Sequence, residues 1–155
     1  MLVPTVLTEA LLATWLPEDG HPPAATVSGQ RFAQAVSAWF ATATAGPFPC
    51  ATALARSGQL GASAGSALQA GTAPAAGAML ATALVSYLTG QVFGPGTAGA
   101  PLAAPVAQVG LAAVFADLDA DREDRAAQVT TAVYTLALST VVVFPPVVSP
   151  PVPVM

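Results

Sequence analysis

Apolar side chains recur along most of this chain at helical intervals, not at the alternating intervals of a half-buried strand. Val3, Leu7, Leu11 and Trp15 stand four residues apart and make one face of a short helix over residues 5–16. Pro17-Glu18-Asp19-Gly20-His21-Pro22-Pro23 then supplies a turn built of helix-stopping residues. Phe32, Val36, Trp39, Phe40 and Ala43 form the next stripe, with Gln30, Gln34, Ser37 and Thr44 turned away and Ser28 placed to cap the first turn. Gly46-Pro47-Phe48-Pro49 ends that helix.

The third helix, expected over about residues 50–70, is intrinsically weak because Gly58, Gly61 and Gly65 each cost roughly 1 kcal/mol relative to Ala. Such a helix persists only where a neighbour packs closely on its glycine face, within the subunit or between subunits. A fourth helix over about residues 74–91 gathers Met79, Leu80, Ala83, Leu84, Tyr87 and Leu88 on one side. Residues 94–105, with three glycines and the three prolines Pro95, Pro101 and Pro105, read as a loop. A short helix near 107–116 and a last one over about 122–139 follow, the latter apolar on more than one side. Beyond Thr140 the pattern changes to Val141-Val142-Val143-Phe144 and a run rich in proline, which fixes φ, removes donors and forces an extended path. The expected fold is therefore mainly α: a small helical bundle over residues 1–140 with an extended, apolar, proline-rich C-terminal arm over 141–155.

Composition changes the picture chiefly through what it lacks. Only 8% of the 155 residues are charged, against roughly 25% in ordinary globular chains. Eight acids face four arginines and no lysine, for a net charge of −4, a balance that repels phosphate and argues against nucleic acid as a partner. The absence of Lys, Ile and Asn, all with AT-rich codons, points to a GC-rich genome, so part of the alanine excess is mutational. One cysteine and one histidine leave no internal disulfide and no histidine-rich metal site. The first fifteen residues contain Glu9 and no basic stretch, unlike a secretory signal, and neither end shows a lipidation motif.

Several short patterns resemble chemistry. Gly61-Ala62-Ser63-Ala64-Gly65 spells a nucleophile elbow, but the elbow needs a strand before it and a histidine after it; a helical pattern precedes it and His21 lies upstream. Gly94-Pro95-Gly96-Thr97-Ala98-Gly99 spells a dinucleotide loop, yet Pro101 and Pro105 would remove donors from the helix that must begin there. Asp117, Asp119 and Asp121 open like a calcium loop, but Arg122 replaces its turn glycine and Gln128 its bidentate glutamate. A solvated turn accounts for the same acids, with Asp121 capping the last helix and Glu123 and Asp124 matching its dipole. His21 reads as a loop residue, Cys50 as a small packed side chain, and the P-x-x-P of Pro150–Pro153 lacks a flanking basic residue. No catalytic residue, cofactor, metal ligand or small-molecule substrate is assigned.

Residues 57–116 contain no charged side chain, and segments 72–93 and 126–144 are long enough for a bilayer core of about 30 Å. An integral membrane protein with two or three transmembrane helices is thus the alternative reading. The first of these segments is diluted by Pro74, Gly77, Gly90, Gln91 and several Ser and Thr, and neither basic nor tryptophan anchors flank it. Burial against other protein explains the composition better, since obligate interfaces resemble a core cut in half. The expected interface comprises the glycine face of Gly58, Gly61 and Gly65 together with Val141, Val142, Val143, Phe144, Pro145, Pro146, Val147, Val148, Pro150 and Pro151.

The stretches RFAQAVSAWFATATAG, SYLTGQVFGPGTAG and LALSTVVVFPPVVSPPVPVM, in that order, resemble small Ala/Pro-rich virion structural proteins of tailed bacteriophages. The resemblance implies a structural role in head, neck or tail, without enzymatic activity. It implies other virion proteins and further copies of the chain as partners, and a place in the virion after assembly in the host cytoplasm.

Overall fold

Proline and glycine punctuation divides the chain into six helices among the described residues, which in this computed structural model are 1–19, 22–145 and 150–155. They are α1 (Pro4–Thr14), α2 (Ala25–Phe40), α3 (Ser57–Ala67), α4 (Ala73–Leu88), α5 (Ala104–Ala116) and α6 (Arg122–Leu138). Proline occupies the first or second position of α1, α4 and α5, where its missing N–H would have had no intrahelical partner. Thr72 caps α4 through the Ala75 N–H, and Asp121 caps α6 through the Asp124 N–H. The chain is mainly α.

Several expected boundaries move, among them the end of the fourth helix at Leu88 and the start of the fifth at Ala104. The second helix begins at Ala25, three residues before Ser28, with Ala24 as its cap and no side-chain capping bond. Ser28 instead accepts a hydrogen bond from the Trp15 indole N–H at 2.8 Å, so it joins α1 to α2 in place of capping. The third helix begins at Ser57, not near residue 50, because Cys50 and Ala51 are drawn into pairing with Phe93 and Val92.

Residues 94–105 are not simply a loop. Two hairpins with Gly-Pro turns interrupt the helices: β1 (Thr44–Ala45) with β2 (Phe48–Pro49), and β3 (Val92–Phe93) with β4 (Gly96–Ala98). Gly46 and Gly94 take φ of +58° and +57° and are each followed by proline, the sign combination of a type II′ hairpin turn. After α6 come β5 (Val141–Val143) and β6 (Val152–Pro153), paired antiparallel, with β5 also paired to β4.

A helix–hairpin–helix unit therefore recurs three times. The first is α2, β1, β2 and α3; the second is α4, β3, β4 and α5; the third is α6, β5 and β6, completed by α1, which packs against α6. Neighbouring units also meet, α3 on α4, α5 on α6 and α1 on α2, so the helices close on themselves. The strands close as well. Ala51 N–H donates to Val92 O at 2.8 Å, Gly99 N–H to Val141 O at 2.9 Å, and Met155 N–H to Thr44 O at 2.9 Å. These are one bond made three times, each hairpin reaching the next and the third reaching the first.

Burial follows the same repeat. Val36, Leu84 and Val133 occupy equivalent positions, as do Trp39, Tyr87 and Leu136, then Phe40, Leu88 and Ala137, then Ala45, Phe93 and Val142; all are buried. Phe40 lies edge-on to Tyr87 and to Phe93, with ring centres 6.0 and 6.2 Å apart. One core thus runs from the helices into the strand ring.

Helix approach is set by absent side chains. A methyl group on Gly29 would sit 2.5 Å from Gly61 O, and one on Gly77 would sit 2.6 Å from Ala112 Cα. The third unit has Ala126 at this position, fully buried, and there Thr8 donates from α1 to the Thr130 hydroxyl at 3.0 Å. Gly110, inside α5, has nothing within 4 Å of a built Cβ. Two glycines on helices should therefore respond with opposite sign. Gly29→Ala is expected to lose about 3 kcal/mol of unfolding free energy through backbone overlap, and Gly110→Ala to gain about 0.5–1 kcal/mol by restricting the unfolded chain. Urea denaturation of the two variants measures both.

Candidate functional site: the seams between the repeated units

Each residue singled out from the sequence can now be located. Gly61 and Gly65 face α2, with built methyl groups 3.2 Å from Gln30 Cα and from Thr26 Cα, whereas Gly58 faces open space. Val141, Val142 and Val143 are the three residues of β5, and Val142 is fully buried. Phe144 is buried, its ring 5.4 Å from that of Phe48. Pro145, Pro150 and Pro151 are exposed. Pro146, Val147 and Val148 lie outside the described residues, as does His21.

The elbow-like run 61–65 is continuous helix, without the strand-to-helix turn that exposes a nucleophile. At the acidic turn, Asp117 Oδ1 accepts from the N–H groups of Asp119 (3.2 Å) and Ala120 (3.1 Å), and Arg125 Nη2 donates to Asp117 O at 3.1 Å. Among the described residues, no group of three His, Cys, Asp or Glu side chains is placed to hold a metal ion.

A buried polar cluster, unforeseen from the sequence, joins the first unit to the second. Gln91 is fully buried at the position equivalent to Ala43 and Thr140. Its Oε1 accepts from Thr52 Oγ1 at 2.6 Å and from Cys50 Sγ at 3.5 Å, and its Nε2 donates to Tyr87 O at 2.9 Å. Thr52 Oγ1 in turn accepts from Val92 N–H at 3.0 Å, and Tyr87 donates its hydroxyl to Ala53 O at 3.0 Å. Arg56 donates to Thr89 O and Ser86 O, placing a cation on the carbonyl end of α4, where the helix dipole favours it. The side chains hold backbone groups and one another, so the cluster works as a polar joint. Burial pushes the Cys50 thiol up despite hydrogen bonds from Thr52 and Ala53 and the Arg56 charge, opposite to what an activated cysteine requires. A glutamine flanked by Gly90 and Val92 offered no periodic signal of burial.

The outer seams between units are more open. The α3/α4 seam is lined by Ser63, Ser66, Met79, Thr82 and Ser86, around a space of about 400 Å³. The equivalent α5/α6 seam, about 280 Å³, substitutes Gly110, Ala113, Gln128, Thr131 and Thr135. At the α1/α2 seam the lining includes Ala13, Arg31 and Gln34 with Asp19 at its edge. One backbone arrangement thus presents a hydroxyl-rich surface, a mixed one of small and polar residues, and a charged one.

The chain matches no protein-family model, no curated protein and no solved structure.

The α5/α6 seam is extended by the outer face of α5. Val106 and Val109 are 67% and 71% exposed, as is Leu102 (80%) in the turn before α5, and Val106, Val109 and Ala113 recur at steps of three and four residues, the spacing of a helix–helix seam. Leu138 and Val143 are exposed as well. Five of the eight acids lie in the α1–α2 and α5–α6 connections, and Glu123 and Asp124 stand in the first turn of α6. Arg122 links these two connections, 3.8 Å from Glu18 and 2.9 Å from Glu123. Charge is thereby gathered at the end of the helices away from the strands.

The polar joint has a pH signature. Burial raises both the Cys50 thiol and the Tyr87 phenol, so the unfolded chain ionises first as pH climbs. Their contribution to stability is whole below the ordinary thiol value of 9.0 and is lost progressively as pH rises toward the raised folded values. Thermal melts should show stability falling above that pH, with a shallower fall for Cys50→Ala. Thiol-reagent labelling at neutral pH should run at least about a hundredfold slower in the native chain than in the denatured one, since it requires local opening.

Proposed function

We propose that this chain is a non-enzymatic structural subunit of a large protein assembly, a bacteriophage virion component of the head, neck or tail. On this reading the helical bundle docks on other virion proteins and on its own copies through apolar helix faces and through the segment from Val141 onward. The observation that carries the reading is the exposed, uncharged strip of Val106 and Val109 on α5, with Leu102 in the turn before it. A contiguous apolar surface flanked by polar residues marks an association site, and α5 contains no charge to oppose close approach of protein.

The distribution of charge agrees. An acidic end remains hydrated while the flanks, free of charged side chains from residue 57 to 116, desolvate at little electrostatic cost. The polar groups of the Cys50–Gln91 joint are engaged structurally and bring together no nucleophile and base. The membrane alternative loses support from helix length: among the described residues no helix is long and apolar enough to cross a bilayer.

Val106→Glu combined with Val109→Glu separates surface from fold. Both positions point outward, so thermal stability should stay within about 0.5 kcal/mol of the parent. Self-association followed by light scattering, and incorporation into particles, should weaken at least tenfold, the effect of losing about 1.4 kcal/mol at an interface. Undiminished association and incorporation by the folded double variant would remove α5 as the docking surface.

A further inference from the structure

The third hairpin differs from the other two in the length of its connection. The pairs Ala45↔Phe48, Phe93↔Gly96 and Val142↔Val152 are equivalent. Two residues, Gly46-Pro47 or Gly94-Pro95, join the members of the first two pairs, whereas nine residues, 143–151, join the third. A Gly-Pro turn holds a strand to its own partner. Nine residues reach about 30 Å when extended.

The place that β6 fills is complete on both edges. Val154 N–H donates to Thr140 O at 3.0 Å, Met155 N–H donates to Thr44 O at 2.9 Å, and Thr44 N–H donates to Met155 O at 2.8 Å. Val154 is fully buried and Val152 packs on the core. These bonds run between residues 152–155 and the slot formed by β5 and β1, and none depends on which chain supplies the strand. No charged residue stands among 141–155 or 40–50, so a second chain meets no like-charge opposition there.

We infer that the slot between β5 and β1 accepts residues 152–155 of a second copy of this chain, so that neighbouring copies interlock by exchanging β6. The exchange deepens the assembly reading and rests on it, because a tether of nine residues holds its own strand at an effective concentration of about millimolar. In dilute solution the chain therefore closes on itself. Exchange prevails where copies are crowded to that level, as they are in a particle. The strand is identical in the two arrangements, so the bonds made by residues 152–155 are kept on exchange, which is the economy of domain swapping.

Cysteine pairing across the slot tests this with the full chain. Thr44→Cys and Met155→Cys are placed on separate chains, each also carrying Cys50→Ala, and the two are mixed, co-refolded at about 1 mM, diluted and oxidised. The expected product is a disulfide-linked dimer of the two chains, in amounts that fall at least tenfold when refolding is done at about 10 μM. Replacing residues 143–151 by Gly-Pro in both chains should abolish the dimer, and a same-chain Thr44→Cys/Met155→Cys disulfide in the Gly-Pro variant shows that it still closes its own slot. Failure of the mixed disulfide to form at about 1 mM, or a mixed dimer equally abundant in the Gly-Pro variant, overturns the exchange. The α5 double glutamate variant keeps the slot intact. Loss of its association with retained mixed disulfide upholds exchange, whereas failure of the disulfide with normal α5-dependent association rejects exchange and leaves the assembly reading standing.

Discussion

Backbone contact between paired helices is the constraint on which the rest of this structure depends. At Gly29 the chain of α2 comes so near α3 that a single methyl group has no room, and at Gly77 the same holds for α4 against α5. Helices this close leave little space for bulky side chains between them, so the inner surfaces are filled by alanine and glycine while Phe32, Phe40, Leu80, Leu84 and Leu88 fill the shared centre. Dispersion contacts at such separations are individually small and collectively large. They compensate the poor intrinsic helicity of Gly61 and Gly65, which would destabilise α3 in isolation.

Closely paired helices place their connecting hairpins side by side, and the strand ring follows from that. None of these strands exceeds three residues, too short for stability alone. Each gains a neighbour on both edges because the hairpin of the next unit is delivered to it by a rigid helix pair. Completion by α1 and by residues 152–155 leaves no gap in the bonding between the first and third units. The polar joint at Gln91 shows the cost of departing from apolar filling. A buried amide in the place of Ala43 or Thr140 has to be met by Thr52, Cys50 and a backbone carbonyl, since an unsatisfied buried amide group would be expensive.

Repetition of backbone with divergence of side chains also explains the surface. Equivalent seams carry serines with Met79 and Thr82 in one case, glycine and alanine with Gln128, Thr131 and Thr135 in another, and Arg31 with Gln34 in the third. A scaffold whose interior is fixed by close packing tolerates such variation outside, because surface substitutions seldom disturb stability. The apolar strip on α5 is thus a property of one unit and is not demanded by the fold.

The local periodicities settled the helices: the Phe32–Phe40 stripe, the Leu80–Leu88 stripe and the Asp121 cap are legible because a 3.6-residue repeat and a capping side chain act over a few residues. Low charge and the extended character after Thr140 were legible from composition for the same reason. The hairpins at 44–49 and 92–98 were hidden because two- and three-residue strands are too short to alternate. The threefold repeat was hidden because its equivalent positions preserve burial while exchanging size and chemistry, as in Phe40, Leu88 and Ala137. That Ser28 serves Trp15, that Gln91 bridges two units, that Gly61 and Gly65 receive α2, and that α1 completes the third unit are tertiary decisions. Each joins residues distant along the chain, and such pairings acquire an energy only once the elements exist and their surfaces can be brought within contact of one another.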